Sequence, residues 1–300
     1  MNAVPALLGY AAGVGLLAPQ LLLRSAWPHR APVLALTVWL GLTVSFTLAA
    51  ALAAHHLAAP TRHLHIGLIG VLRTCGLATS HPTTADRLAI VLPLAVVFLV
   101  LGRFALEVLR GRRARSRHRT ILDMVGRRST RLCATVLDHD LPAAYCLPGH
   151  RPRVVVSVGA VRLLSPDQLE AVLEHERAHI TGRHHLALAA TQAFARAFPR
   201  LPLARHAREQ AGVLLEMIAD DRALRRQSRE VLATAMYEMA AAKAAPAGAF
   251  AVGGPSTLLR LRRVLDPPRR PHPAIRGSMA AAAAVVPVIP LLFGCLPTVG

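Results

Sequence analysis

Residues 173–185 read LEHERAHITGRHH, and inside them His175-Glu176-Arg177-Ala178-His179 sets two imidazoles four positions apart with a carboxylate beside the first. In a helix, residues four apart lie one turn above each other on the same face, so both rings can offer a nitrogen to one cation. Such donors suit Zn²⁺, which in catalytic sites takes three protein ligands and leaves a position for water. A bound zinc lowers the pKa of that water, and Glu176 stands where a carboxylate can take its proton and return it to a leaving amine. Because the chain holds fifteen His, chance must be weighed. Roughly 2% of shuffled chains of this composition would carry the pattern, so its context has to support it.

A third ligand is available in EMIADDRA at 216–223. Glu216 and Asp220 are again one helical turn apart. Glu216 can complete a His-His-Glu site, and Asp220 can accept a hydrogen bond from a ligand histidine and fix its tautomer. His184, His185 and His206 are weaker candidates and read as surface or supporting residues. One of them, or Tyr145 or Arg222, would stabilise an oxyanion; the residues themselves do not choose.

The elements needed to hold these residues are legible nearby. Residues 132–137 (LCATVL) and 153–158 (RVVVSV) read as short strands, with AAYCLPGH at 143–150 between them. Ser165-Pro166-Asp167-Gln168 then starts a helix: Ser165 caps it, Pro166 suits the first helical position, and Gln168 completes a capping box. Leu169, Val172, Leu173 and Ile180 recur at helical spacing, and Gly182 is a stop signal, so His175 and His179 fall inside this helix. Further helices are expected over 185–198, 206–226 and 229–244, followed by a Pro/Gly-rich loop at 244–256.

Around this block the chain is not that of a soluble protein. It is 53% hydrophobic and only 17% charged, yet carries a formal net charge of +19, nearly all of it arginine. Aromatic residues make up 4% and no nucleic-acid-binding motif is present, so the charge reads as basic flanks of membrane segments. Four stretches are long and apolar enough to span a bilayer: about 3–23, 33–54, 88–109 and 278–297. The first is not expected to be a cleaved signal peptide, because nothing basic precedes it. Arg103 and Glu107, near the end of the third span, are expected to mark its interfacial end and pair locally. Arginine is dense at 110–131 and again at 260–276. The segment between should therefore be cytoplasmic, with both termini outside. Cys133 and Cys146 would then be free thiols in a reducing compartment, and a bridge between the outward-facing Cys75 and Cys295 is not expected.

The order of three apolar segments, a basic stretch, AYCLPG at 144–149, LEAVLEHERAH at 169–179, EMIADDRA at 216–223 and a fourth apolar segment resembles the BlaR/MecR-type integral membrane zinc metallopeptidases. More distantly it is similar to HtpX-type and CAAX prenyl proteases, which share the H-E-x-x-H and E-x-x-A-D elements. The likeness runs over about residues 1–297 and is specific at the two zinc motifs. It implies a mainly α membrane protein with four transmembrane helices and a cytoplasmic α+β zincin-like metallopeptidase domain inserted between the third and fourth. The three first helices occupy 1–109, the peptidase domain 110–277, and the last helix with a short tail 278–300.

By that resemblance His175, His179 and Glu216 hold one zinc per chain, Glu176 is the catalytic base and Asp220 supports a ligand from behind. Tyr145, Cys146 and Leu147 would form an edge that pairs with an extended substrate. The implied partners are the lipid bilayer and a protein substrate, a cytoplasmic winged-helix repressor, in a bacterial cell membrane. Direct nucleic-acid binding is not expected. Related sequences often place an acid where His184 stands, which puts that outer contact in doubt. The antibiotic-sensing members continue into an extracellular penicillin-binding domain, which this sequence, ending at Gly300, is expected to lack. The alternatives are an HtpX-like quality-control protease, or a non-catalytic receptor or scaffold, against which the intact Glu176 speaks. A transporter is disfavoured, since no span carries a buried charge cluster.

Overall fold

The computed structural model describes residues 3–58, 84–244, 255–266 and 273–295. The amino-proximal part is helical: α1 (Ala3–Arg24), a short α2 (Trp27–Arg30), α3 (Pro32–Ala58) and α4 (Thr84–Val125). Of these, α1, α3 and α4 are long and apolar enough to cross a membrane. The end expected at residue 109 is not a helix end. Arginine is a good helix former, so α4 continues through RGRRARSRHR as one rod of 42 residues, roughly 63 Å long at 1.5 Å per residue. Glu107 does pair locally, but with Arg110 at 3.3 Å and with Arg196 at 2.9 Å, rather than with Arg103.

The rod delivers the chain into a small mixed sheet of β1 (Gly126–Ser129), β2 (Ala134–Leu137), β3 (Ala144–Leu147) and β4 (Arg153–Ser157). Its order is β1-β2-β4-β3. β2 and β4, the two strands expected from sequence, pair in parallel, and β1 and β3 add antiparallel partners on either side. β1 is GRRS, without apolar alternation, and gave no signal. β1 and β3 are the two edge strands, and among the described residues no strand pairs with the outer side of β3.

A short α5 (Val158–Leu163) precedes α6 (Pro166–Thr181), α7 (His184–Ala197), α8 (Pro202–Ala223), α9 (Arg229–Ala244) and α10 (Pro255–Leu265). The Ser165–Gln168 capping box forms as read, and Gly182 caps the other end of α6. Most of the loop expected at 244–256 lies outside the described residues; α10 begins at its end. The fourth apolar segment is two helices, α11 (Pro273–Val285) and α12 (Ile289–Cys295), rather than one unbroken helix. Proline is the reason. In an unbroken helix the Val286 carbonyl would accept from the amide of residue 290, but Pro290 has no N–H. That carbonyl instead accepts from the hydroxyls of Ser45 at 2.7 Å and Tyr10 at 3.1 Å, which ties the segment to α3 and α1.

Three packed clusters matter for the site. Leu169 and Leu173 of α6 bury against Val154 and Val156 of β4 and Ala235 of α9, which lays α6 across one face of the sheet. Leu122 of α4 covers Leu147 and Val155 on the other face. The third cluster joins Val14 of α1 and Trp39 and Leu42 of α3 to Phe194 of α7 and Leu203, Ala207 and Leu214 of α8. A single core therefore runs from the membrane helices into the segment that carries the chemistry.

Candidate metal centre

α6 and α8 cross so that the two histidine positions of one face Glu216 of the other. The Nε2 atoms of His175 and His179 are 3.1 Å apart. One oxygen of Glu216 lies 3.4 Å from the first, and its other oxygen lies 3.3 Å from the second. In a tetrahedron with metal–ligand bonds of about 2.0–2.1 Å, neighbouring donors stand roughly 3.3 Å apart. The two imidazole nitrogens and a carboxylate oxygen near each are close to that spacing, and among the described residues these three side chains form the one His/Cys/Asp/Glu group compact enough for an ion.

Each histidine is held from behind. His175 sets Nδ1 3.0 Å from Oδ1 of the buried Asp220, so this nitrogen donates and Nε2 is left to the site. His179 Nδ1 lies 2.8 Å from Nδ1 of His184. For His179 to offer a lone pair at Nε2 it must carry its proton on Nδ1 and donate it to His184. Burial, then the neighbouring His179, pulls the His184 pKa down to about 4, so that ring is neutral and can accept. The turn that returns His184 to this position runs through Arg183 in the left-handed region, φ 49°, a conformation costing an L-residue roughly 1–2 kcal/mol. His184 thereby makes the outer contact that its identity had put in doubt. Of the sequence candidates this is the supporting residue whose partner could not be named in advance.

The charges are strongly coupled. Burial disfavours the charged form of His175, but hydrogen bonds to Asp220 and Glu216 outweigh it and raise its pKa to about 9. Burial would raise Glu216 and Asp220, yet His175 and His179 for the first, and Arg260 and His175 for the second, hold both carboxyls well below the usual range. Arg260 was not singled out from sequence; its signal was the amphipathic TLLRLRRVL run at 257–265.

Glu176 faces a cavity of about 230 Å³ that His175, Glu216, Ala144, Met236, Met239 and Arg260 also line. β3 runs along this side of α6. Its side chains alternate: Cys146 meets Glu176, whereas Tyr145 and Leu147 pack on the opposite face, in the cluster with Leu122. Burial, with the Glu176 carboxylate adding to it, pushes the Cys146 thiol up to about 12, so it stays protonated. Cys133 and Cys146 are free thiols, as expected; Cys75 lies outside the described residues. Tyr145 is excluded as an oxyanion donor here because its hydroxyl bonds His118 Nε2 at 2.7 Å, beyond the sheet. His206 pairs with Glu209 and stands ten residues before Glu216, roughly 15 Å along α8. Arg177, the variable position inside the motif, faces away and binds Glu170, Glu174 and the Leu132 carbonyl, fastening α6 to the start of β2.

A capped helix with H-E-x-x-H, an acid from a second helix at ligand distance and beside them a strand edge that pairs with no strand among the described residues define a zinc metallopeptidase fold. The chain belongs to Peptidase family M48, whose profile matches residues 111–267, a little over half of its length. Among curated proteins and solved structures nothing matches. The protein is accordingly a zinc metallopeptidase, and its apolar helices make it a membrane protein.

Proposed function

We propose that this peptidase is a membrane-embedded endopeptidase with a cytoplasmic active site, in which His175, His179 and Glu216 hold zinc. The carrying observation is the 3.1–3.4 Å spacing of their donor atoms with Glu176 in the same cavity. Zinc held there would polarise a water and bring its pKa towards neutrality. Glu176 takes the proton of that water and delivers it to the amine leaving the scissile bond. Asp220 keeps the His175 proton on Nδ1, and His184 keeps that of His179 likewise. The outer side of β3 over Tyr145, Cys146 and Leu147 adds an extended substrate as a further strand, with the backbone supplying the contacts while Cys146 faces the base.

The proposed organisation is three membrane helices in 1–109, the peptidase domain in 110–277 and a fourth membrane segment in 278–300, with both termini outside. The likeness to BlaR/MecR-type peptidases supports a cytoplasmic DNA-binding repressor as substrate, and hence a signalling role in a bacterial membrane. The free strand edge favours this reading, since a flexible linker of a soluble protein can lie along it.

Glu176→Gln separates chemistry from binding. The variant should keep zinc, fold and membrane insertion but lose roughly 10²–10⁴-fold in rate. Comparing the proteins of cells that make wild type or Glu176→Gln should reveal one cytoplasmic DNA-binding protein shortened only by the wild type. Many shortened membrane proteins would favour quality control instead, and equal cleavage by both would refute the assigned role of Glu176.

A further inference from the structure

Two arginines of α10 stand behind the metal-facing residues, one turn apart on the same side. Arg260 sets Nη1 2.7 Å from Oε2 of Glu216. Its Nε and Nη2 donate to the two oxygens of Asp220 at 2.8 and 2.7 Å. Arg263 forks onto Asp221 through its two terminal nitrogens, Nη1 and Nη2, at 2.7 and 2.8 Å, and donates from Nε to the His29 carbonyl at 2.8 Å. His29 lies in α2, the turn between the first two membrane helices. The adjacent acids Asp220 and Asp221 are thus each gripped by a guanidinium fork from one helix, and that helix is pinned to the membrane bundle.

A fork fixes the plane of a carboxylate in a way a point charge cannot. Asp220 is buried, and its negative charge beside Glu216 would be costly without a cation. The Glu216 side chain is 38% exposed, so packing alone does not hold its rotamer. Arg260 occupies one of its oxygens and turns the other towards His179.

We infer that Arg260 is a positioning residue for the metal site, orienting Glu216 directly and His175 through Asp220. Arg263 anchors α10 to Asp221 and to the α1–α3 turn, so the placement of that turn sets the geometry of the ligands. This inference rests on the ligand set proposed above.

The test uses the full chain in detergent with cobalt in place of zinc, reading the visible cobalt bands and the rate of metal loss to excess chelator. Arg260→Met should lose metal roughly 10–100-fold faster, the scale of a lost supporting contact, and shift the bands. Arg260→Lys, which keeps the charge and stem but not the fork, should fold as wild type and recover only part of both readouts. Arg263→Met, which touches no proposed ligand, should move both in the same direction by less. Folding is followed by circular dichroism, and if Arg260→Met does not fold, Arg260→Lys carries that arm. A folded Arg260 variant with wild-type bands and release overturns the inference, and so does a folded Arg263→Met with neither readout changed. Failure of the wild type to take up cobalt would instead count against the ligand set itself.

Discussion

Zinc uptake should depend steeply on pH, in a direction set by His175. In the metal-free protein burial opposes its charge, but Asp220 and Glu216 raise its pKa from 6.5 to about 9. A ligand nitrogen must be unprotonated, so zinc binding at neutral pH displaces a proton from this ring. Two units below the pKa about one ring in a hundred is free, a penalty of roughly 2.7 kcal/mol at 1.36 kcal/mol per unit. Apparent affinity should rise about tenfold per pH unit between pH 6 and 8 and level off above about pH 9. Competition of the full chain against a colorimetric chelator measures this directly. Asp220→Asn removes a carboxylate that favours the ring's charge and leaves burial opposing it, so its profile should flatten in that range even as affinity falls. A flat wild-type profile between pH 6 and 8 would refute the reasoning. The metal-free protein should show the opposite trend. A pKa raised on folding stabilises fully below 6.5 and loses that contribution as pH rises through about 9. This is on the order of 3 kcal/mol, readable in melts of chelator-treated protein.

Purified wild type should hold about one zinc per chain, and His175→Ala, His179→Ala or Glu216→Ala should each strip most of it in elemental analysis. Full occupancy in Glu216→Ala would remove that residue from the ligand set. His184→Ala should weaken zinc binding roughly 10–100-fold by freeing the His179 ring. Gly182→Ala should act similarly, because the added Cβ would collide with the His184 ring at Nε2; unchanged affinity in both would mean His179 needs no such partner. A reporter active only in the cytoplasm should work when fused after Arg119 and fail at Gly300, and the reverse pattern would overturn the proposed orientation.

What the sequence made legible is what local chemistry determines. The α6 start followed from Pro166 at the first helical position and from Ser165 and Gln168, whose hydrogen bonds close within four residues, and the pairs His175/His179 and Glu216/Asp220 fall on common helix faces because each is spaced by one turn inside a single helix. The strands 134–137 and 153–157 announced themselves by β-branched runs. β1 did not, because GRRS is recruited by its partner Ala134–Leu137 rather than by its own propensity. The break in the fourth apolar segment was written in Pro287 and Pro290, yet a hydropathy window averages over prolines. Arg260 and His184 were hidden for a different reason. One reaches its acids across forty residues, and the other reaches His179 through a left-handed residue that sequence rules assign to glycine.

The shared core explains why the site cannot be considered apart from the membrane helices. α8 is one uninterrupted helix of 22 residues. Its first half packs Leu203 and Ala207 against the cluster containing Val14 and Trp39, and its last two turns carry Glu216 and Asp220. A helix transmits displacement along its axis with little loss, because packed cores resist continuous deformation. Donor atoms held 3.1–3.4 Å apart tolerate little of it; a one-turn shift of 5.4 Å would part Glu216 from both histidines. The bundle that anchors the first half of α8 is therefore also what keeps Glu216 in register with His175 and His179 of α6.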